Sequence, residues 1–181
     1  MTIRIALIGT GAVGRGILEA MTRKDLGIIL TGVADSRSGM IQSSGISPSD
    51  LLSRKRETGL CGDISITAED VVRTAPYDIL VEVSPTDATT GEPATSYIRT
   101  ALSRGCHVVT SNKGPVALHY HELKRQADKA GVSFRFEATV AGAIPILHTL
   151  LESLGGNDVQ ALYGVLNGTC NYILTRMAEE G

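Results

Sequence analysis

No stretch of this chain approaches the roughly 20 consecutive apolar residues needed to span a bilayer, and neither sign of charge is in marked excess. Nineteen Asp and Glu stand against seventeen Lys and Arg, a formal net charge of −2 over 181 residues. That balance argues against the basic footprint of a nucleic-acid binder and against a polybasic membrane contact. The opening residues lack a basic region followed by an apolar core and a cleavage site, so no secretory leader is expected. Cysteine is sparse. Cys61, Cys106 and Cys170 are odd in number, widely scattered and without a CxxC pair, a pattern that suits reduced thiols in a cytoplasmic protein. His119 and His121 lie two apart on an expected helix and so point to different faces, which makes them poor metal ligands and suits solvated positions. There is no internal repeat and no low-complexity tract.

What is present begins at once. Residues Ile3 to Gly16 read IRIALIGTGAVGRG, an apolar run that breaks into a glycine pattern and then into a helical one. A strand carrying Ile3, Ile5, Leu7 and Ile8 belongs deep in a parallel sheet. Gly9 allows a tight turn at its end, Gly11 lets a pyrophosphate approach the backbone, and Gly14 lets the helix pack closely on the strand. The free N–H groups and positive dipole end of a helix starting near Ala12 would face the phosphates. A lone GxGxxG is a weak signal. Here a strand precedes it, a helix follows, and Asp35 closes the next apolar run, IILTGVAD, 21 positions beyond Gly14, as a dinucleotide fingerprint requires.

Along the rest of the chain, helical and strand patterns alternate. Helices are expected at 12–24, from Ser47-Pro48 to Gly59, at 68–73, 92–104 and 118–130; strands at 28–34, 64–67, 77–83, 107–110 and 132–138. The stretch 36–45 reads as turns. Such alternation predicts an α/β fold, a Rossmann-type doubly wound parallel sheet. We place that domain at residues 1–138 and the start of a second, α+β domain at 139–181. The latter should hold an apolar helix at 144–154, a strand at 159–166 and a helix after Asn167.

In open α/β sheets ligands bind beyond the carboxyl ends of the strands, and several polar segments fall there. Ser84 and Pro85, after YDILVEV, could hold the nicotinamide side of a cofactor, or form a plain turn. In Ser111-Asn112-Lys113-Gly114-Pro115, a turn lysine would put an ammonium near the reacting carbon, to polarise a carbonyl or move a proton; a solvated lysine is the alternative. From Glu137 to Pro145, small residues leave carbonyl oxygens for water or a hard cation. Asn167-Gly168-Thr169 is a polar turn in which Thr169 could cap a helix or meet a small polar substrate. Asp35 suits a ribose diol and so NAD, while Arg37 and Lys55 could cover a 2′-phosphate and admit NADP.

Taken together, GTGAVGRG, VADSRSG, RKRETG, TSNKGP, EATVAGAIPI and GVLNGTCNYIL make the whole chain resemble homoserine dehydrogenases. The first motif is generic to dinucleotide enzymes; the last three, in this order, are specific. The resemblance implies NAD(P)-dependent interconversion of L-homoserine and L-aspartate 4-semialdehyde, on the route to threonine, methionine and isoleucine. Position by position, it makes Lys113 a catalytic candidate, the lysine of the family's NK motif near nicotinamide and substrate, while the usual proton donor is a later lysine. Ala12 and Val13 become pyrophosphate contacts, and Arg37 and Lys55 partners of a 2′-phosphate. It makes Glu137, Val140, Gly142 and Ile144 the loop whose oxygens hold a sodium-like monovalent cation, and Gly168 and Thr169 substrate- or cofactor-facing positions. Family members continue through a segment resembling GYAEADP, an acidic residue and a second lysine, none of which is in this sequence. The resemblance therefore implies cofactor binding with weak turnover for this chain by itself. A non-catalytic NAD(P)-binding module, or half of a split enzyme pairing through its C-terminal segment with a second copy or a companion chain, is the alternative. A dehydrogenase for another amino acid would explain the glycine loop but not NGTCNYIL.

Overall fold

The computed structural model describes residues 2–165 and 167–180, which fall into two units, Met1–Phe136 and Glu137–Gly181. In the first, six strands form one sheet in the order β3-β2-β1-β4-β5-β6. They are β1 (Ile3–Ile8), β2 (Ile28–Ala34), β3 (Gly39–Ile46), β4 (Ile79–Glu82), β5 (His107–Thr110) and β6 (Phe134–Arg135). Helices α1 (Ala12–Arg23), α2 (Pro48–Thr58), α3 (Ala68–Thr74), α4 (Ala94–Ser103) and α5 (Lys113–Ala130) connect them.

Alternation along β1 shows why both faces are covered. Ile5 and Leu7 join Leu18, Leu30, Val33 and Leu51 in a core under α1 and α2. Ala6 and Ile8 join Val71, Ile98, Leu102 and Leu123 in a second core under α3, α4 and α5. A strand buried on both sides must be apolar at every position, which is what the run at Ile5–Ile8 supplies. The chain leaves β1 toward β2 and β3, then returns to the other side of β1 as β4. The reversal between β1 and β4 is the switch point at which such sheets bind ligands.

The sheet is not wholly parallel: β3 pairs antiparallel with β2, where the sequence reads as turns. Only Met40, Ile41 and Ile46 along it are apolar aliphatic residues or Met, because an edge strand needs little burial. Its hairpin is set by Asp35, whose Oδ1 accepts the N–H groups of Arg37 at 2.9 Å and Ser38 at 3.1 Å. The expected strand at 64–67 is absent; Asp63 makes a single bridge to Gly39, and Thr67 caps α3 instead. Helix α5 starts at Lys113, five residues earlier than the apolar period suggests, because Asn112 caps it by accepting the N–H of Gly114. His119 is half-buried, with Nε2 3.1 Å from the carbonyl of Thr90, so it is not simply solvated. All three thiols are free; Cys61 and Cys106 are buried and Cys170 is exposed.

In the second unit a 3-10 turn spans Glu137–Thr139, a π-helical turn spans Thr149–Ser153, and α6 spans Gly168–Glu180. The expected helix at 144–154 is present in shortened form, helical over 147–153 with its last five residues π-helical, between Pro145 and the Gly155-Gly156 pair. Residues 159–165 are not a strand, and Leu166 lies outside the described residues. An extended segment becomes a strand only when a neighbouring backbone completes its ladder, and the described residues of this unit offer none. α6 is capped by Asn167, whose Oδ1 accepts the Cys170 N–H at 2.9 Å; Thr169 lies inside the first turn and is not the cap.

Candidate functional site

The loops leaving β1, β2 and β4 border a cleft of about 800 Å³. Its floor is the glycine turn. Gly9 takes a left-handed φ of +103°, and a Cβ there would meet the Val83 carbonyl at 2.6 Å. Gly14 lies beneath; a Cβ on it would stand 2.0 Å from the Gly9 carbonyl. Gly11 differs in kind, because a Cβ on it would meet no atom within 4 Å. Any side chain at 11 would project into open space beside the cleft, so glycine is suited here to a ligand's approach rather than to protein packing.

Gly11 is also the N-cap of α1, which has no side-chain cap and no acid in its first turn. By contrast α2, α3 and α5 are capped by Ser47, Thr67 and Asn112. The first N–H groups of α1, from Ala12, Val13 and Gly14, are therefore donors without a capping side chain at the positive end of a 12-residue helix, an arrangement that favours anionic oxygens. Ala12 and Val13 line the cleft; Gly14 supports it from below.

One flank carries Asp35, Arg37 and Lys55. Asp35 accepts the Thr10 hydroxyl at 2.6 Å and the ammonium of Lys55, which also reaches the Gly59 carbonyl at 2.8 Å. Burial pushes the Asp35 carboxyl up, but the hydrogen bonds from Lys55, Thr10 and the Arg37 N–H outweigh it and hold the group at about 2. Arg37 is exposed and its guanidinium donates to the Gly59 carbonyl. The flank thus presents one half-covered carboxylate and two cations.

The other flank is the end of β4, with Ser84 and Pro85 lining the cleft together with Pro93 and Tyr97. Ser111 and Lys113, at the end of β5, do not line it; Ser111 donates its N–H to the Glu82 carbonyl at 3.2 Å, and Lys113 projects as an exposed side chain from the first position of α5. Sequence reasoning gave no role to Thr10 or Glu82, nor to Asn112 within the segment 111–115. A signal for Glu82 was available: it is a charge flanked by apolar residues on both sides within the run 79–83.

In the second unit, Glu137 is turned to its own backbone. Its carboxylate accepts the N–H groups of Leu147 at 3.0 Å and His148 at 2.7 Å, and its carbonyl accepts the Val140 N–H at 3.3 Å. Ile144 accepts the N–H of Ile146 at 3.0 Å, and Gly142 takes a φ of 61°. Among the described residues there is no group of three His, Cys, Asp or Glu side chains able to hold a metal. Gly168 and Thr169 begin α6 and are exposed.

A reversed α/β sheet, a glycine turn under an uncapped helix and a carboxylate at the end of β2 define a dinucleotide-binding domain of Rossmann type. The family profile described as homoserine dehydrogenase, NAD binding domain, matches residues 9–137, and that described as homoserine dehydrogenase matches 145–181. The chain belongs to the homoserine dehydrogenase family. A homoserine dehydrogenase of Methanocaldococcus jannaschii is 38% identical over 98% of this chain and 56% of its own length. The crystal structure of an Archaeoglobus fulgidus protein assigned as a homoserine dehydrogenase is similar with TM-score 0.88 and 42% identity, over 98% of this chain and 55% of that one. A hyperthermophilic archaeal homoserine dehydrogenase in complex with NADPH is similar with TM-score 0.84 and 27% identity, over 100% and 58%. The chain spans about half the length of these relatives. No helix among the described residues is long and apolar enough to cross a membrane.

Proposed function

We propose that the chain serves NAD(P)-dependent interconversion of L-homoserine and L-aspartate 4-semialdehyde. The observation that carries this reading is the uncapped N-terminus of α1 opening beside Gly11 onto a cleft flanked by Asp35 and Lys55, in a chain of this family. The pyrophosphate would lie on the N–H groups of Ala12 and Val13, with Gly9 and Gly14 holding the turn. The adenosine ribose would meet Asp35, and the nicotinamide side would run past Ser84 and Pro85 toward Ser111. A coenzyme held by these residues would supply or take up the hydride at the carbon that is carbonyl in the semialdehyde and carbinol in homoserine. Lys113 is the proposed catalytic group: an ammonium at the end of β5 donates a hydrogen bond to the substrate oxygen and polarises it. Gly168 and Thr169 are proposed to face the substrate.

The flanking charges support acceptance of NADP as well as NAD. Lys55 and Arg37 can turn from Asp35 and Gly59 to a 2′-phosphate, while Asp35 serves a 2′-hydroxyl. The loop at Glu137, Val140, Gly142 and Ile144 is the proposed seat of a sodium-like ion. The oxygens offered there are mainly those of the main chain, the ligand type a hard cation takes, and the Glu137 carboxylate is turned to the N–H groups of Leu147 and His148. The exposed apolar side chains of the second unit, Tyr163, Val165, Leu174 and Met177 among them, support association with a second copy or a companion chain. Free buried thiols suit a reducing cytoplasmic setting.

Calorimetric titration tests the reading. NADPH and NADH both bind the wild-type chain, and Lys55→Met weakens NADPH about tenfold or more, by removing one charge-assisted contact and unmasking Asp35, while changing NADH less. Absence of binding by either coenzyme to folded protein overturns the proposal.

A further inference from the structure

Among the described residues, a single fully buried carboxylate lies at this sheet edge, and it belongs to none of the roles above. Glu82 ends β4 with its side chain at 0% exposure. One oxygen accepts both the N–H (2.8 Å) and the hydroxyl of Ser84; the other accepts the Thr110 hydroxyl at 2.8 Å. Thr110 is its cross-strand neighbour on β5 and in turn accepts the Asn112 N–H at 2.9 Å. The Asn112 amide closes the ring, donating to the carbonyls of Ser84 at 3.2 Å and Pro85 at 3.3 Å, while its oxygen caps α5 through Gly114. Thr110 and Asn112 are each 1% exposed.

Stability alone is a poor reason for this arrangement. Burying a carboxylate is costly, and an apolar side chain of similar size would commonly serve a core as well or better. The other residues of β4, Ile79, Leu80 and Val81, are of that kind. The charge stands only at the carboxyl end, where the strand meets the cleft. What the ring fixes is the relation between two loops: Ser84-Pro85, which lines the cleft, and Asn112-Lys113, which starts α5. Loops can be held to the tolerance that chemistry needs when a saturated polar network supports them.

We propose that Glu82 is a positioning residue for the nicotinamide end of the site, acting through Ser84 and Asn112 to hold the Ser84-Pro85 wall in register with Lys113. This rests on the coenzyme reading above. Glu82→Gln keeps the shape but replaces one acceptor oxygen by N–H₂, so that either the Ser84 N–H loses its acceptor or the Thr110 hydroxyl must turn from donating to accepting. Thr110→Val removes the cross-strand link while keeping the Glu82 side chain, one of whose oxygens then loses the Thr110 hydroxyl.

Two probes separate positioning from bulk stability: NADPH, followed by its own fluorescence, and 2′-phospho-ADP-ribose, which lacks the nicotinamide. In the 181-residue chain each variant raises the Kd of NADPH about tenfold and lowers the fluorescence gain on binding, while the Kd of 2′-phospho-ADP-ribose stays within about twofold. Equal weakening of both probes would mean a merely structural role, and unchanged NADPH binding in both variants would mean no role; either overturns the inference. Should Glu82→Gln fail to fold, Thr110→Val decides. Wild-type protein that takes up neither probe sinks the coenzyme reading itself, whereas wild-type uptake with indifferent variants sinks this inference alone.

Discussion

Asp35 does two jobs with one carboxylate. One oxygen ties the turn into β3 and the other meets Thr10 and Lys55. The group lies at about 2 against an ordinary 3.8, so folding favours its ionised form. The stabilisation is present above the unfolded value, falls as pH drops from about 4 toward 2, and is gone once both states are protonated. With the side chain only 13% exposed, solvent screens little of it, and the shift corresponds to about 2 kcal/mol. Asp35→Asn should therefore lower unfolding free energy by about 2 kcal/mol at pH 7 and by only a few tenths of a kcal/mol at pH 2. Urea melts at pH 7, 4, 3 and 2 give the comparison; a constant difference across that range would mean that Asp35 stabilises by shape rather than charge.

At the scale of elements, α1 contains its own control. A methyl on Gly14 collides with the Gly9 carbonyl at 2.0 Å, whereas one on Gly16, in the same helix, meets nothing within 4 Å. Gly14→Ala must push α1 off β1 and should cost about 2 kcal/mol or more, with loss of coenzyme affinity. Gly16→Ala should stabilise by up to about 1 kcal/mol through helix propensity, with affinity intact. Thermal melts and NADPH titration of the pair test this; equal effects would remove close packing as the reason for the third glycine. The same elements show what the sequence made legible. The turn at Gly9, the strand before it and the carboxylate closing β2 announce themselves because each depends on neighbours within a few positions. β3 does not, since an edge strand pairing on one side leaves scarcely any apolar pattern. The Glu82–Thr110–Asn112 ring was hidden for another reason: residues 28 apart meet only when β4 and β5 pair in register. The start of α5 was misplaced for the same cause, its cap being part of that ring.

At the scale of the molecule, the two units differ in how they resist opening. In Met1–Phe136 a sheet is sandwiched between two apolar cores, and Leu7, Leu80 and Val108 are wholly buried. In Glu137–Gly181, α6 buries none of its described side chains, and Tyr172, Leu174 and Met177 are each 64–65% exposed. An isolated helix of 13 residues is marginal in water; without apolar burial, its amides should exchange by local fraying rather than global unfolding. Hydrogen exchange on the intact chain at low concentration should then show β1 and β4 peptides protected orders of magnitude more strongly than α6 peptides. If the exposed face of α6 pairs with a second copy, its protection must rise with protein concentration while that of β1 stays fixed, since mass action stabilises only the element buried in the complex. Equal protection of α6 and β1 at the lowest concentration would refute the idea that the second unit lacks a core of its own.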